Sequence, residues 1–399
     1  MSKYFYPLID NPFSNKDIKK GIDVLISKQL TLSKETINFE RTFTNKLNSK
    51  FSIMVNSGSS ANLLALQCLI NPYRKNRLKE GDEILIPTLC WSTSLWPIIQ
   101  SNLKPVFVDI NPETLNIDEN EIEKKISKKT KAILLVHVLG NSCDMNFIMK
   151  IKKKYNLILI EDNCESLGSK FAGKYLGTFG EFSSFSFYSS HQISSGEGGM
   201  ICCKDSKDYN ILKSLRSHGW SRGTSFENEI YKKNKFLDKK FIFFNSGYNL
   251  RPTEVSAAIG HNQFKRMDKL IGIRSINRSK IIKSLLSSKK LINKIHFYNE
   301  NKLVTPSWFG LCVKILSNKK NYKDTVLKKL EQNGIETRPI ISGNFSRQPA
   351  AKKYGLSKSQ KFTNTDMVYN KSFFIGLPTK NISKNFIKRI VVAFEKSFI

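Results

Sequence analysis

Between residues 51 and 162 short apolar runs alternate with segments of helical periodicity, and this alternation restricts the chain to few architectures. Phe51–Val55, Glu83–Pro87, Pro105–Asp109, Lys131–His137 and Leu157–Asp162 have the length and content of buried strands. Leu63–Leu69, Ser92–Ser101 and Asn146–Lys154 read as helices between them. Such repetition predicts an α/β fold with a mainly parallel sheet covered by helices. Ligands of these sheets gather beyond the carboxyl ends of the strands. Ser57–Ser60, Trp91 and Asp162 sit at or just after such ends, so the fold can bring them together.

The flanking segments add to this frame. A helix is predicted over Ile37–Leu47, where Phe39, Phe43 and Leu47 share one face. Further helices are expected over Ser206–Leu215 and from Thr253 to about Lys280, the latter long enough to link two domains. Phe309–Ile315, a helix near Tyr322–Glu331 and a closing helix over Asn385–Glu395 suggest a smaller α+β domain. The expected division is 1–270, with an N-terminal arm, and 271–399. Residues 221–242, rich in Lys, Asn and Phe, read as an exposed excursion.

Composition narrows the function classes. With 40% hydrophobic residues the 399-residue chain can bury a substantial core. No apolar segment approaches the ~20 residues of a membrane span. The start, Met1–Pro7, lacks the apolar stretch of a signal peptide, so a soluble cytoplasmic protein is expected. Seven cysteines without ligand-like spacing fit buried thiols rather than a disulfide framework or a metal site. The net charge of +32 admits nucleic acid, an anionic surface or an anionic substrate as partner. The lysines are spread along the whole chain, as on a solvated surface, and nucleic-acid binding stays only as an alternative.

Two stretches carry chemistry. Ser57-Gly58-Ser59-Ser60 lies between a strand and a helix, where free amides and the helix dipole can cradle a phosphate. An ordinary serine N-cap explains the same residues. In Phe185–Met200 an apolar run leads into small hydroxyl residues, one histidine, His191, and a Gly-Glu-Gly-Gly turn. A reactive histidine flanked by small residues and a hairpin with a structural histidine both fit this pattern.

Taken in order, Ser57–Leu63, Glu161–Glu165, Phe185–Phe187, Gly196–Gly199 and Gly247–Glu254 resemble the motif series of the DegT/DnrJ/EryC/StrS sugar aminotransferase family. The resemblance runs from about residue 10 to the C-terminus. It implies the fold type I, aspartate aminotransferase-like architecture, a pyridoxal 5′-phosphate cofactor and a homodimer with a shared active site. Carried over by position, Gly58, Ser59, Ser60 and Ser186 would hold the cofactor phosphate. Trp91 would stack on the pyridine ring, with helix-start packing as its alternative role. Asp162 would pair with the pyridine nitrogen, keeping the ring an electron sink. Glu165 would lie near the 3-hydroxyl, and Asn249 would reach the phosphate in the neighbouring subunit.

The departure from the family falls on His191. Five residues after Ser186 the aminotransferases carry the lysine that holds the cofactor covalently; the nearest lysines here, Lys174 and Lys204, lie outside the motif. The same exchange marks the nucleotide-sugar 3-dehydratases of this superfamily. Cys90–Gln100, Glu336–Arg338 and Gly343–Pro349 are further likenesses to that branch. No cysteine lies between Cys203 and Cys312, which matches the subtype without an iron–sulfur cluster. The resemblance therefore implies C3 deoxygenation of a nucleotide-diphosphate 4-keto-6-deoxyhexose for surface polysaccharide, by pyridoxamine 5′-phosphate regenerated with glutamate. His191 would act as acid and base, a role its ordinary pKa suits. Arg222 and Arg338 are candidates for binding substrate anions, or for surface ion pairs. An atypical sugar aminotransferase is the near alternative, and a non-catalytic or basic-surface binding protein the distant one.

Overall fold

A computed structural model describes residues 4–9, 13–300, 302–319, 321–356 and 360–398. Strands β1 (Phe51–Val55), β2 (Glu83–Pro87), β3 (Lys104–Val108), β4 (Thr130–Val136) and β5 (Ile158–Asp162) follow one another with helices between. Two short strands, β6 (Lys170–Phe171) and β7 (Lys174–Tyr175), precede β8 (Phe182–Ser186) and β9 (Gly199–Cys203). The main sheet has the order β1-β9-β8-β5-β4-β2-β3. Every pairing from β8 to β3 is parallel, while β9 runs antiparallel to both neighbours.

Side chains alternate between the faces, as the pleat requires. Ile84, Ile86, Leu134 and Ile160 pack on one face, Leu85, Ile133, Leu135 and Leu159 on the other. Cys202 and Cys203 accordingly enter different clusters. Both faces are covered, so the strands read as continuous apolar runs.

A second layer is built from β10 (Ile295–Phe297), β12 (Gly310–Ile315) and β13 (Ser372–Gly376), an antiparallel sheet in the order β10-β12-β13. Val326 and Leu330 of Tyr322–Gln332 and Ile390 and Phe394 of Lys384–Ser397 fill its core. Tyr6 joins them, pairing with Ile335 and donating its hydroxyl to the Gly376 carbonyl at 2.8 Å. Strand β11 (Val304–Thr305) pairs with β6 in a small separate sheet.

Two of the helices that differ from the sequence expectation bear on the site and its frame. The one expected from Leu63 begins at Gly58, because Ser57 is its N-cap and accepts from the Ser60 amide at 3.1 Å. The single helix expected from Thr253 is two, Glu254–Phe264 and Met267–Leu286. They meet at Arg266, whose guanidinium is drawn to Ser14 and the buried Asp17 near the N-terminus. The division expected at residue 270 falls inside the second of them. The excursion after residue 221 holds a helix, Glu227–Lys233, with no buried residue.

Candidate active site

The carboxyl ends of β1, β5 and β8 open into a cavity of about 530 Å3. Its floor is the N-terminus of the helix Gly58–Leu69, which presents Ser57, Gly58 and Ser59. A Cβ on Gly58 would lie 2.7 Å from both Cys164 Sγ and Ser186 Cβ, so only glycine lets this turn sit against β8. Ser59 Oγ is 2.7 Å from Thr93 Oγ1, which ties the turn to the helix Ser92–Gln100. Ser60 lies behind the wall: it donates to Asn56 Oδ1 at 2.6 Å and is not among the lining residues.

Asp162, the last residue of β5, brings a buried carboxylate to the cavity wall. Its Oδ2 accepts from Asn62 Nδ2 at 2.8 Å and Ser94 Oγ at 2.7 Å, and its Oδ1 from the Cys164 amide at 3.1 Å. Asn62 is in turn fixed by Ser184 Oγ at 2.6 Å. Asn62 and Ser94 escaped the sequence reading. With the helix begun at Leu63, nothing marked Asn62 as sharing the wall with Ser59. Trp91, the N-cap residue of Ser92–Gln100, lines the cavity and is 57% exposed.

Ser186 ends β8, and the chain then turns through Tyr188 to His191. The His191 amide donates to the Tyr188 carbonyl at 3.0 Å, and Phe309 meets the imidazole edge-on at 5.1 Å between centroids. Burial, followed by the positive charge of Arg274, lowers the imidazole pKa to about 3, so the ring is neutral at physiological pH. Glu165 is shifted the other way: burial raises its pKa to about 7, against a 2.8 Å hydrogen bond from the Leu139 amide to Oε2. No lysine is among the described residues that line the cavity.

Arg338 reaches the same cavity from the C-terminal side, with Glu336 Oε1 at 2.7 Å. Arg222 and Asn249 do not enter it. Arg222 lies over the Trp220 ring at 4.5 Å, and Asn249 Oδ1 accepts from Arg251 Nε at 3.0 Å. Among the described residues no three His, Cys, Asp or Glu are grouped to hold a metal, and no helix is long and apolar enough to cross a membrane.

The model of the DegT/DnrJ/EryC1/StrS aminotransferase family matches residues 13–395. The chain belongs to this family. Among its relatives, the GDP-4-keto-6-deoxy-D-mannose 3-dehydratase of Yersinia pseudotuberculosis is 35% identical over 374 residues, 93% of each chain. The solved structure of the E. coli GDP-4-keto-6-deoxy-D-mannose 3-dehydratase with bound hydrated pyridoxal phosphate superposes with a TM-score of 0.90 at 34% identity, covering 98% of this chain and 99% of that one. A structure of GDP-4-keto-6-deoxymannose 3-dehydratase with a trapped pyridoxal phosphate–glutamate geminal diamine gives 0.89 at 34% identity, over 98% and 99%. In this family member the mainly parallel sheet with its smaller antiparallel partner is the aminotransferase architecture expected from the motifs.

Proposed function

We propose that the chain is a pyridoxal phosphate-dependent 3-dehydratase of GDP-4-keto-6-deoxymannose. The observation that carries the reading is His191 in a cavity with no lysine among its described lining residues, in a chain 35% identical to a relative of that activity.

The residues present fit the cofactor. The glycine-permitted turn at Gly58 and the amides behind Ser57 and Ser59 offer a phosphate the end of a helix dipole, with Ser186 beside it. Trp91 supplies a flat face for a ring, and Asp162, with Oδ2 held by Asn62 and Ser94, supplies a fixed acceptor for a protonated ring nitrogen. Glu165 faces the same space. Bound as its amine, the cofactor would supply a nitrogen for the C4 carbonyl of the keto sugar and a ring that spreads the charge left when its own methylene carbon gives up a proton.

The chain's own work is then proton handling and placement. Nδ1 of His191 lies 3.5 Å from Ser190 Oγ, which leaves Nε2 as the atom that takes a proton and returns it to the departing C3 oxygen. A neutral imidazole is the form that can accept it. Arg338 would bind an anionic or polar part of the substrate at the mouth. The overall change is balanced when glutamate is the amino donor: its oxidation to 2-oxoglutarate and ammonia supplies the two electrons by which C3 loses its oxygen as water. A homodimer belongs to the reading, with Arg222 and Asn249 completing the neighbouring subunit's site; their place outside their own cavity supports it.

Product analysis tests the proposal. With GDP-4-keto-6-deoxymannose and glutamate the protein is expected to release ammonia and a 3,6-dideoxy-4-keto sugar, and His191→Asn to lose at least about 100-fold in turnover while still binding the cofactor. A 4-amino sugar as product, or normal turnover by His191→Asn, would sink it.

A further inference from the structure

His191 sits on a loop, and loops do not by themselves hold a proton-transfer group to the tolerance catalysis needs. Two buried side chains fix this one from outside. Gln192, next in the chain, donates Nε2 to the Glu165 carbonyl at 2.6 Å and to the Ser307 carbonyl at 2.9 Å. Arg274, 6% exposed on the helix Met267–Leu286, donates Nη2 to the His191 carbonyl at 3.0 Å and to the Ser190 carbonyl at 3.3 Å.

Gln192 is neutral and ties the loop to backbone only. Arg274, 83 residues away in the sequence, combines two functions: a single Nη2 that ties two consecutive carbonyls, and a permanent charge beside the imidazole. We propose that Arg274 is the positioning residue for His191, its guanidinium setting where the ring stands and its charge adding to burial in disfavouring the imidazolium. The other ionisable groups among the described residues that share the cavity with His191 are Asp162, Cys164, Glu165, Tyr188, Glu197 and Arg338. Carboxylates among them favour the imidazolium; Arg274 and Arg338 oppose it. Of the two cations, Arg274 is the one bonded to the histidine's own backbone. The proton-acceptor part of this inference rests on the proposed dehydratase reading, whereas the placement and the charge effect do not.

Arg274→Gln and Arg274→Lys separate the two functions. Glutamine keeps a donor and removes the charge; lysine keeps the charge and removes the planar guanidinium whose Nη2 bridges the two carbonyls. The His191 ring is followed by NMR titration in the full-length, cofactor-free protein, with its signal assigned by its loss in His191→Asn. In Arg274→Gln its proton affinity is expected to rise about tenfold or more, one pH unit, and the acid limb of the pH–kcat profile to move up with it. In Arg274→Lys the titration is expected to stay and kcat to fall about tenfold with KM little changed. A folded Arg274→Gln whose His191 titrates as in the wild type overturns the proposal. If that variant does not fold, Arg274→Lys decides: unaltered kcat across the pH range overturns it, and lowered kcat with an unshifted titration supports it. The NMR result stands even if the dehydratase reading fails, so the two failures are distinguishable.

Discussion

His191 and Glu165 share one cavity and are shifted in opposite senses by the same cause. Burial penalises whichever form is charged, so the imidazole is held neutral with a pKa near 3 and the carboxyl keeps its proton to about 7. For Glu165 the folded chain binds a proton more tightly than the unfolded chain does. Stability tied to this group is therefore whole below the ordinary carboxylate range and is lost as pH rises through about 7. Glu165→Gln mimics the protonated form without titrating. In the cofactor-free protein, urea unfolding should find the variant and the wild type alike near pH 4. The variant should gain progressively up to pH 8, by at most about 3 kcal/mol for a partly exposed group. A stability difference that does not change with pH would show that the carboxyl ionises normally. His191 was legible in the sequence because a fixed motif spacing marks its position. The partners that hold Asp162 were not, since Asn62 and Ser94 are recognisable only once two helix starts are brought to one strand end.

The strands between residues 51 and 162 were legible in the apolar runs: β1 and β2 fall on the expected residues and β3, β4 and β5 within one, whereas β6, β7, β10, β11 and β13 were not expected. Helix starts were less so, for a physical reason. Gly58, Ser59 and Ser60 are poor helix formers, yet they form a first turn because Ser57 caps it and β8 packs against it. The break at Arg266 is likewise imposed by Ser14 and Asp17, some 250 positions away, and no local pattern announces it. This inverts the usual rule for Gly58. In an exposed helix Gly→Ala stabilises by up to about 1 kcal/mol. Here the added methyl meets Cys164 Sγ and Ser186 Cβ at 2.7 Å, so Gly58→Ala is expected to cost about 1–3 kcal/mol and to weaken cofactor binding by displacing the turn from Ser186. Denaturation and cofactor titration by absorbance measure both, and a net gain in stability would contradict the close packing.

Two expected site residues, Asn249 from the family motifs and Arg222 as a candidate anion binder, do not line the cavity of their own chain. The helix Asn15–Ser27 leaves Ile18, Ile22, Leu25 and Ile26 exposed, an apolar stripe of the kind a subunit interface covers. In an isologous dimer each chain would lend its Asn249 to the other's site. That arrangement makes a prediction no monomeric site can satisfy. Chains carrying His191→Asn and chains carrying Asn249→Ala, each inactive or impaired as homodimers, are co-expressed with different tags and the mixed dimer is purified through both. One of its sites combines the two lesions, and the other has an intact His191 and an intact Asn249 from the partner. Activity of about half the wild-type dimer is therefore expected. If Asn249 served its own chain, both sites of the mixed dimer would carry one lesion, and activity would stay at the level of the homodimeric variants.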